Sequence, residues 1–239
     1  MLTLIITLAA CLVVSAQTAP ATPAAAERVA ALKQALAENQ AALRQYTWTE
    51  STEISLKGEV KKREKKICRY GADGKVQKTP APGDESQPQE ESGGRRRGGR
   101  VKQHVVDKKV GEMKDYMQRV TALVQEYVPP ESARIQAAAA AGTIAAQPDP
   151  TADVSAVRIT SYFKPGDSLG VAFNRAAKSL ERYEVASYVD DPKDDVVTLA
   201  VQFGRLDDGT SYPREIVLDA KAKQIQVKVT NSGYARLAQ

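Results

Sequence analysis

The chain has 239 residues, of which 42% are apolar and 26% charged, with a single histidine and two cysteines. That apolar share excludes a wholly disordered protein and supplies a core for one sizeable domain or two small ones. A lone histidine and a pair of cysteines are too few for a structural zinc site, which takes four such ligands. A balance of 34 basic against 29 acidic residues, net +5, falls far short of a dedicated nucleic-acid binder.

Residues 1–16 (MLTLIITLAACLVVSA) carry no charge and end in Val14-Ser15-Ala16, small residues where a signal peptidase cuts. A stretch this short falls below the roughly 20 residues that span a bilayer core. The expectation is a removed signal peptide and a soluble, exported, periplasmic chain. Such signals usually open with Lys or Arg, and none precedes Arg28. Leu8-Ala9-Ala10-Cys11 also resembles the bacterial lipobox, but apolar residues follow it and few residues precede it. Cleavage after Ala16 removes Cys11 and leaves Cys68 as the only thiol, so no intramolecular disulfide can form. On a strand-like segment Cys68 reads as a small, partly buried hydrophobe before it reads as a reactive thiol.

Residues 17–26 are Ala, Pro and Thr, a composition expected to form a disordered tether. Residues 27–239 then read as a single domain. Val29, Leu32, Leu36 and Leu43 recur at helical spacing over 27–45. At Tyr46 the period changes from about 3.6 to 2, which places Tyr46, Trp48, Thr52, Ile54 and Leu56 on one side of a first strand. Lys57-Gly58 turns the chain into a strongly charged second strand over 59–70, and 71–74 turns it again into a third over 75–78. Residues 79–100 (TPAPGDESQPQEESGGRRRGGR) have almost no apolar content, so ordering entropy cannot be offset and a disordered loop is expected. Helical spacing resumes after Asp107 at Val110, Met113, Met117, Val120, Leu123, Val124 and Tyr127, and stops at Pro129-Pro130. An alanine-rich third helix over 131–141 ends at Gly142.

Beyond Pro150 six strands follow one another, over 155–163, 168–174, 180–189, 196–205, 212–218 and 224–231, with Asp, Gly and Pro in the turns between. Short connections favour antiparallel neighbours. The expected fold class is α+β: a single curved antiparallel sheet of about nine strands, an incomplete barrel, with two to three helices packed on its concave side.

The stretch LKQALAENQAALRQYTWTESTE and the ending VVTLAVQFGRLDDGTSYPREIVLDAKAKQIQVKVTNSGYARL resemble the LolA-like lipoprotein carriers of Gram-negative bacteria. The resemblance covers about half of the chain and rests on pattern. It implies an incomplete barrel capped by helices around an apolar cavity for acyl chains, with a lipid or lipidated protein as partner. The charged second strand, the Arg/Gly loop and the alanine-rich third helix depart from that pattern.

An apolar binding surface would draw on Trp48, Ile54, Leu56, Met113, Met117, Phe173, Leu199, Val201, Phe203 and Val227, residues that equally suit ordinary core packing. A basic patch is expected from Lys61, Lys62, Arg63, Lys65 and Lys66 with Arg95, Arg96, Arg97 and Arg100. Residues 57–69 alone hold seven basic and two acidic side chains. In an exported protein such a patch is expected to be merely solvated or to meet an anionic membrane surface or an acidic partner, and nucleic acid is not expected. His104 has no nucleophile or metal companion in sequence. Asp190-Asp191, Asp194-Asp195 and Asp207-Asp208 sit where turns favour Asp. No catalytic residue, metal or cofactor is expected, and a monomer is. Two readings follow: a non-catalytic carrier of a lipid or lipidated ligand, or an interaction protein with a filled core that meets an acidic partner or anionic surface through its basic strand and loop. Mass spectrometry of the exported chain is expected to find Gln17 at its start; a diacylglyceryl group on Cys11 would contradict simple secretion.

Overall fold

A computed structural model describes residues 38–82, 99–151 and 153–237, with 99–107 described in backbone only. The expected signal peptide, the tether, most of the first helix and the middle of the Arg/Gly loop, with Arg95, Arg96 and Arg97, lie outside the described residues.

The helical end over 38–43 (α1) leads into β1 (Tyr46–Leu56), β2 (Glu59–Tyr70) and β3 (Val76–Pro80). Helices α2 (Gly99–Gln125) and α3 (Ser132–Ala140) follow. The chain then runs through β4 (Ile144–Gln147), β5 (Val154–Thr160), β6 (Ser168–Asn174), β7 (Ser179–Tyr188), β8 (Val196–Arg205), β9 (Ser211–Ala220) and β10 (Ile225–Arg236). All ten strands join one open antiparallel sheet, in the order β3-β2-β1-β10-β9-β8-β7-β6-β5-β4. Only the β1–β10 contact joins strands distant in sequence; every other neighbour is reached by a local connection. The strand beyond the expected nine is β4. It is Ala-rich, and its period-2 signal is too short to stand out beside the third helix. The expected loop over 79–100 is narrowed at both ends, since Thr79 and Pro80 belong to β3 and α2 begins at Gly99. Both outer edges run into proline, Pro80 in β3 and Pro148 just after β4. Proline has no N–H to offer a further strand.

The core lies between the sheet and α2. Tyr116, Val120 and Leu123 fall at i, i+4 and i+7 on one face of α2, and Tyr127, two residues past its end, continues the same stripe. They pack with Ile159, Leu169, Tyr183, Val185, Val197, Leu199, Val201, Ala220 and Ile225. Each fully buried Val or Leu contributes about 1.5–3 kcal/mol relative to exposure. The face is rotated from the one expected. Val110 is 61% exposed, and Met113, Met117 and Val124 flank the buried stripe instead of forming it. The difference arises because Tyr116 carries a hydroxyl, and this hydroxyl finds a partner under the helix.

That partner is one of two buried aspartates in the sheet's turns. Tyr116 Oη donates to Asp195 Oδ1 at 2.5 Å in the β7–β8 turn. Tyr127 Oη donates to Asp167 Oδ2 at 2.5 Å in the β5–β6 turn, and lies 2.8 Å from Ser187 Oγ. The N–H groups of Phe163 and Lys164 also donate to Asp167 Oδ2, and Arg119 pairs with Asp190 at 2.7 Å. Burial, reinforced by the adjacent carboxylate, raises both phenol pKa values well above the ordinary tyrosine range.

The opposite end of the sheet is tied by Asp208 in the β8–β9 turn. Its Oδ2 accepts from Tyr46 Oη at 2.6 Å and Arg236 Nη2 at 2.7 Å, and its Oδ1 from Thr210 N–H at 3.0 Å. Asn39 of α1 exchanges two hydrogen bonds with the backbone of Ser211, and Leu237 N–H donates to Gln45 C=O. The start and end of the described chain are thereby fixed to one turn.

Removing one Tyr hydroxyl leaves a buried carboxylate under-satisfied, so Tyr127→Phe and Tyr116→Phe are each expected to lose about 1–3 kcal/mol in urea unfolding; unchanged midpoints would contradict the bracing role. The hydrogen bonds from Tyr46 and Arg236 hold Asp208 well below its ordinary value of 3.8. Its contribution is therefore present above about pH 4 and lost as pH falls through the depressed folded value. The stability gap between the wild type and Asp208→Asn should stay constant at neutral pH and shrink in acid. A gap that persists unchanged to about pH 1 would refute this linkage.

Candidate functional site: the basic strand and the sheet faces

Strand β2 (EVKKREKKICRY) leaves β1 through a two-residue turn, Lys57 (φ 55) and Gly58 (φ 80), whose positive φ values match a tight hairpin. The register pairs Thr52 with Glu64, Glu50 with Lys66 and Trp48 with Cys68, so Lys62, Glu64, Lys66 and Cys68 share one face and Arg63, Lys65 and Arg69 the other. Four expected patch residues stand beside acids. Lys61 meets Glu59 at 2.7 Å, Arg63 meets Glu53 at 2.8 Å, Lys66 meets Glu64 at 2.8 Å, and Lys62 also pairs with Glu64. Hydrogen bonds from Lys62 and Lys66 lower the Glu64 pKa to about 2. Lys65 has no acidic partner among the described residues. Arg100 lies in the backbone of α2, apart in sequence from β2.

The pairs soften the positive field without cancelling it, because surface ion pairs are weak and salt-screened. β2 holds six basic and two acidic residues, and residues 59–63 are all exposed. On its other side β2 is only partly covered. β1 pairs with it from Glu59 to Arg69, whereas β3 pairs only with Lys66–Tyr70.

The ten apolar candidates are dispersed through packed regions. Leu199 and Val201 are in the buried core, and Leu56, Met113, Met117, Phe203 and Val227 pack against it, partly buried. Ile54 and Phe173 are half-buried in β1 and β6. Trp48 is buried in a separate aromatic cluster, stacked on Tyr234 at 5.6 Å and tilted against Tyr70 at 5.5 Å. Cys68 lies beneath this hairpin with no exposed surface, and burial raises its thiol pKa. It is a packed hydrophobe with little thiolate character.

Two of the clefts on the described surface have a defined lining. One, of about 190 Å³, is floored by Ala156, Gly170 and Ala172 and walled by Arg158, Arg182 and Glu184. These residues alternate with the core residues Ile159, Leu169 and Val185 in register, so the cleft lies on the face away from the helices. The other, of about 340 Å³, lies at Ser55, Asp219, Lys221 and Gln226. None of the ten apolar candidates lines either cleft.

The acidic pairs serve the turns. Asp191 Oδ1 accepts the N–H groups of Lys193 and Asp194, while Asp195 and Asp208 hold the tyrosines already described. Among the described residues no group of three or more His, Cys, Asp or Glu side chains is placed to hold a metal ion. No described helix is long and apolar enough to cross a membrane. Tyr116 and Asp167 are structurally decisive residues that sequence reasoning passed over, and Asp195 and Asp208, read only as turn residues, also hold tyrosine hydroxyls. The available signal was the 116–120–123–127 spacing, a helical stripe that opens and closes on tyrosine.

No family model and no curated protein matches the sequence. Among solved structures, a DUF1329 family protein from Desulfovibrio piger is similar to this chain with a TM-score of 0.39 and 14% identity. The match covers 87% of this chain and 92% of that one. A likeness of this degree carries no argument about family or function.

Proposed function

We propose that the chain is a non-catalytic, exported cell-envelope protein that works by binding a partner, with its sheet as a solid scaffold and β2 as the contact surface for an acidic partner. The observation that carries this reading is the contrast between the two sheet regions. Of the apolar side chains that would wall a cargo cavity, Leu199 and Val201 are buried in the core, Trp48 is buried in the aromatic cluster, and the rest are only partly buried and line neither cleft, while β2 keeps an exposed, net-positive surface. Such a surface speeds encounter with an acidic partner and selects against basic ones. The uncharged leader over residues 1–16 supports export.

A second reading draws on one observation. Phe203, Ile216, Leu218 and Val227 of β8–β10 and Met113 and Met117 of α2 pack against the core but are only partly buried. An acyl chain entering along that strip would contribute about 0.8 kcal/mol per buried methylene, and thioethers adapt to irregular ligands.

Binding of the full chain to polyglutamate is expected to weaken with salt, and to fall roughly tenfold in the double variant Lys62→Glu, Lys65→Glu. Equal binding by the variant would overturn the basic contact surface. Native mass spectrometry of protein purified from the envelope should give the bare chain; a co-purified acyl ligand would favour the second reading.

A further inference from the structure

The sheet's outermost strands meet proline, but the exposed part of β2 does not. Six residues, Glu59–Glu64, run beside β1 on one side, with Lys61 at a shift in register, and lie beyond the reach of β3 on the other. Their second backbone edge is unpaired among the described residues. Register identifies the groups on it. Ala81 N–H donates to Lys65 C=O at 3.0 Å, so Lys65 turns its backbone toward the β3 side. In an antiparallel ladder the groups facing one neighbour recur every second residue, and the N–H and C=O of Arg63 therefore face the open side.

We infer that this open edge is a strand-addition site for an extended acidic peptide. The inference rests on the acidic-partner reading and supplies its mode. Main-chain hydrogen bonds at Arg63 would give the pairing. A carboxylate of the peptide would stand opposite Arg63, and Lys65, two residues along on the same face of β2, would reach it or the next one diagonally. Charge decides the occupant. A second copy of the same edge would set Lys and Arg against Lys and Arg, and like charges in cross-strand positions destabilise a sheet. Lysine-rich edges resist self-pairing for this reason. An acidic strand reverses the sign, and Lys65, which lacks an acidic neighbour among the described residues, supplies a cation not already engaged.

The test uses the full chain and two synthetic peptides of about eight residues that alternate glutamate with threonine. One is N-methylated at alternate residues, which preserves its charge but removes the N–H groups of one edge. The unmodified peptide is expected to bind, to slow hydrogen exchange at the Arg63 amide, and to bind about tenfold more tightly than the methylated one. Equal binding of the two peptides, or binding without protection of Arg63, would overturn strand addition and leave the acidic-partner reading intact. Failure of both peptides where polyglutamate still binds would do the same. Failure of the peptides and polyglutamate together would remove both. Displacement of the peptide by phosphatidylglycerol vesicles, with Arg63 left unprotected, would assign the charge to a membrane surface instead.

Discussion

Two hydrogen bonds from tyrosine to aspartate fix helix α2 across the row of turns at one end of the sheet, and the packing on that face depends on them. Tyr116 lies within α2 and Tyr127 two residues past its end, so the bonds to Asp195 and Asp167 fix the rotation of the helix and the position of its C-terminal exit. Rotation is the important variable. With these hydroxyls pointed at the turns, Val120 and Leu123 between them face the sheet, while Met113 and Met117 are shifted to the flank. Each carboxylate is itself tied to its turn by backbone N–H donors. The bonds lie in a low-dielectric setting, where a lost partner costs more than in water.

The same arrangement divides the sheet. From β5 to β10 the strands contribute buried apolar side chains to the core shared with α2 and with Ala138 of α3. From β1 to β3 apolar side chains are fewer, and the hairpin is sustained by its tight turn, the Trp48–Tyr234 stack and ion pairs. Lys78 of β3 reaches Glu50 of β1 at 2.6 Å, spanning the strand that holds the buried Cys68 between Trp48 and Lys78 in register. A strand in this position needs no apolar face of its own. Its pairing with β3 is incomplete, and the backbone edge at Arg63 has no strand partner among the described residues.

Much of this plan was legible in the sequence. The change from period 3.6 to 2 at Tyr46, the Lys57-Gly58 turn and the Asp/Gly/Pro punctuation after Pro150 locate β1, β2 and β5 to β10 closely, because local turn chemistry and alternation determine them. The third helix and its Gly142 stop are equally local, since Gly142 adopts φ 68 just past the last helical turn. Three features were not legible. β4 is a short run of small residues without a strong period. The rotation of α2 depends on hydroxyl partners 79 and 40 residues away along the chain. Of the ion pairs that temper the basic strand, Arg63–Glu53 is cross-strand and becomes visible only once register is known, while those of Lys61, Lys62 and Lys66 join i, i+2 neighbours and depend on rotamers. The cavity-lining residues show the same limit: alternation marks Leu199 and Val201 as inward-facing, but whether helix or ligand lies opposite them is a tertiary fact.

The account stands on an interior occupied by the protein's own side chains. Titration of the full native chain with an environment-sensitive fluorescent fatty acid tests this most directly, because the dye brightens only on entering a dry apolar site. The account predicts no saturable rise in emission at concentrations where polyglutamate binds. A saturable one-to-one rise, weakened by a bulkier side chain at Val227 or Phe203, would contradict it.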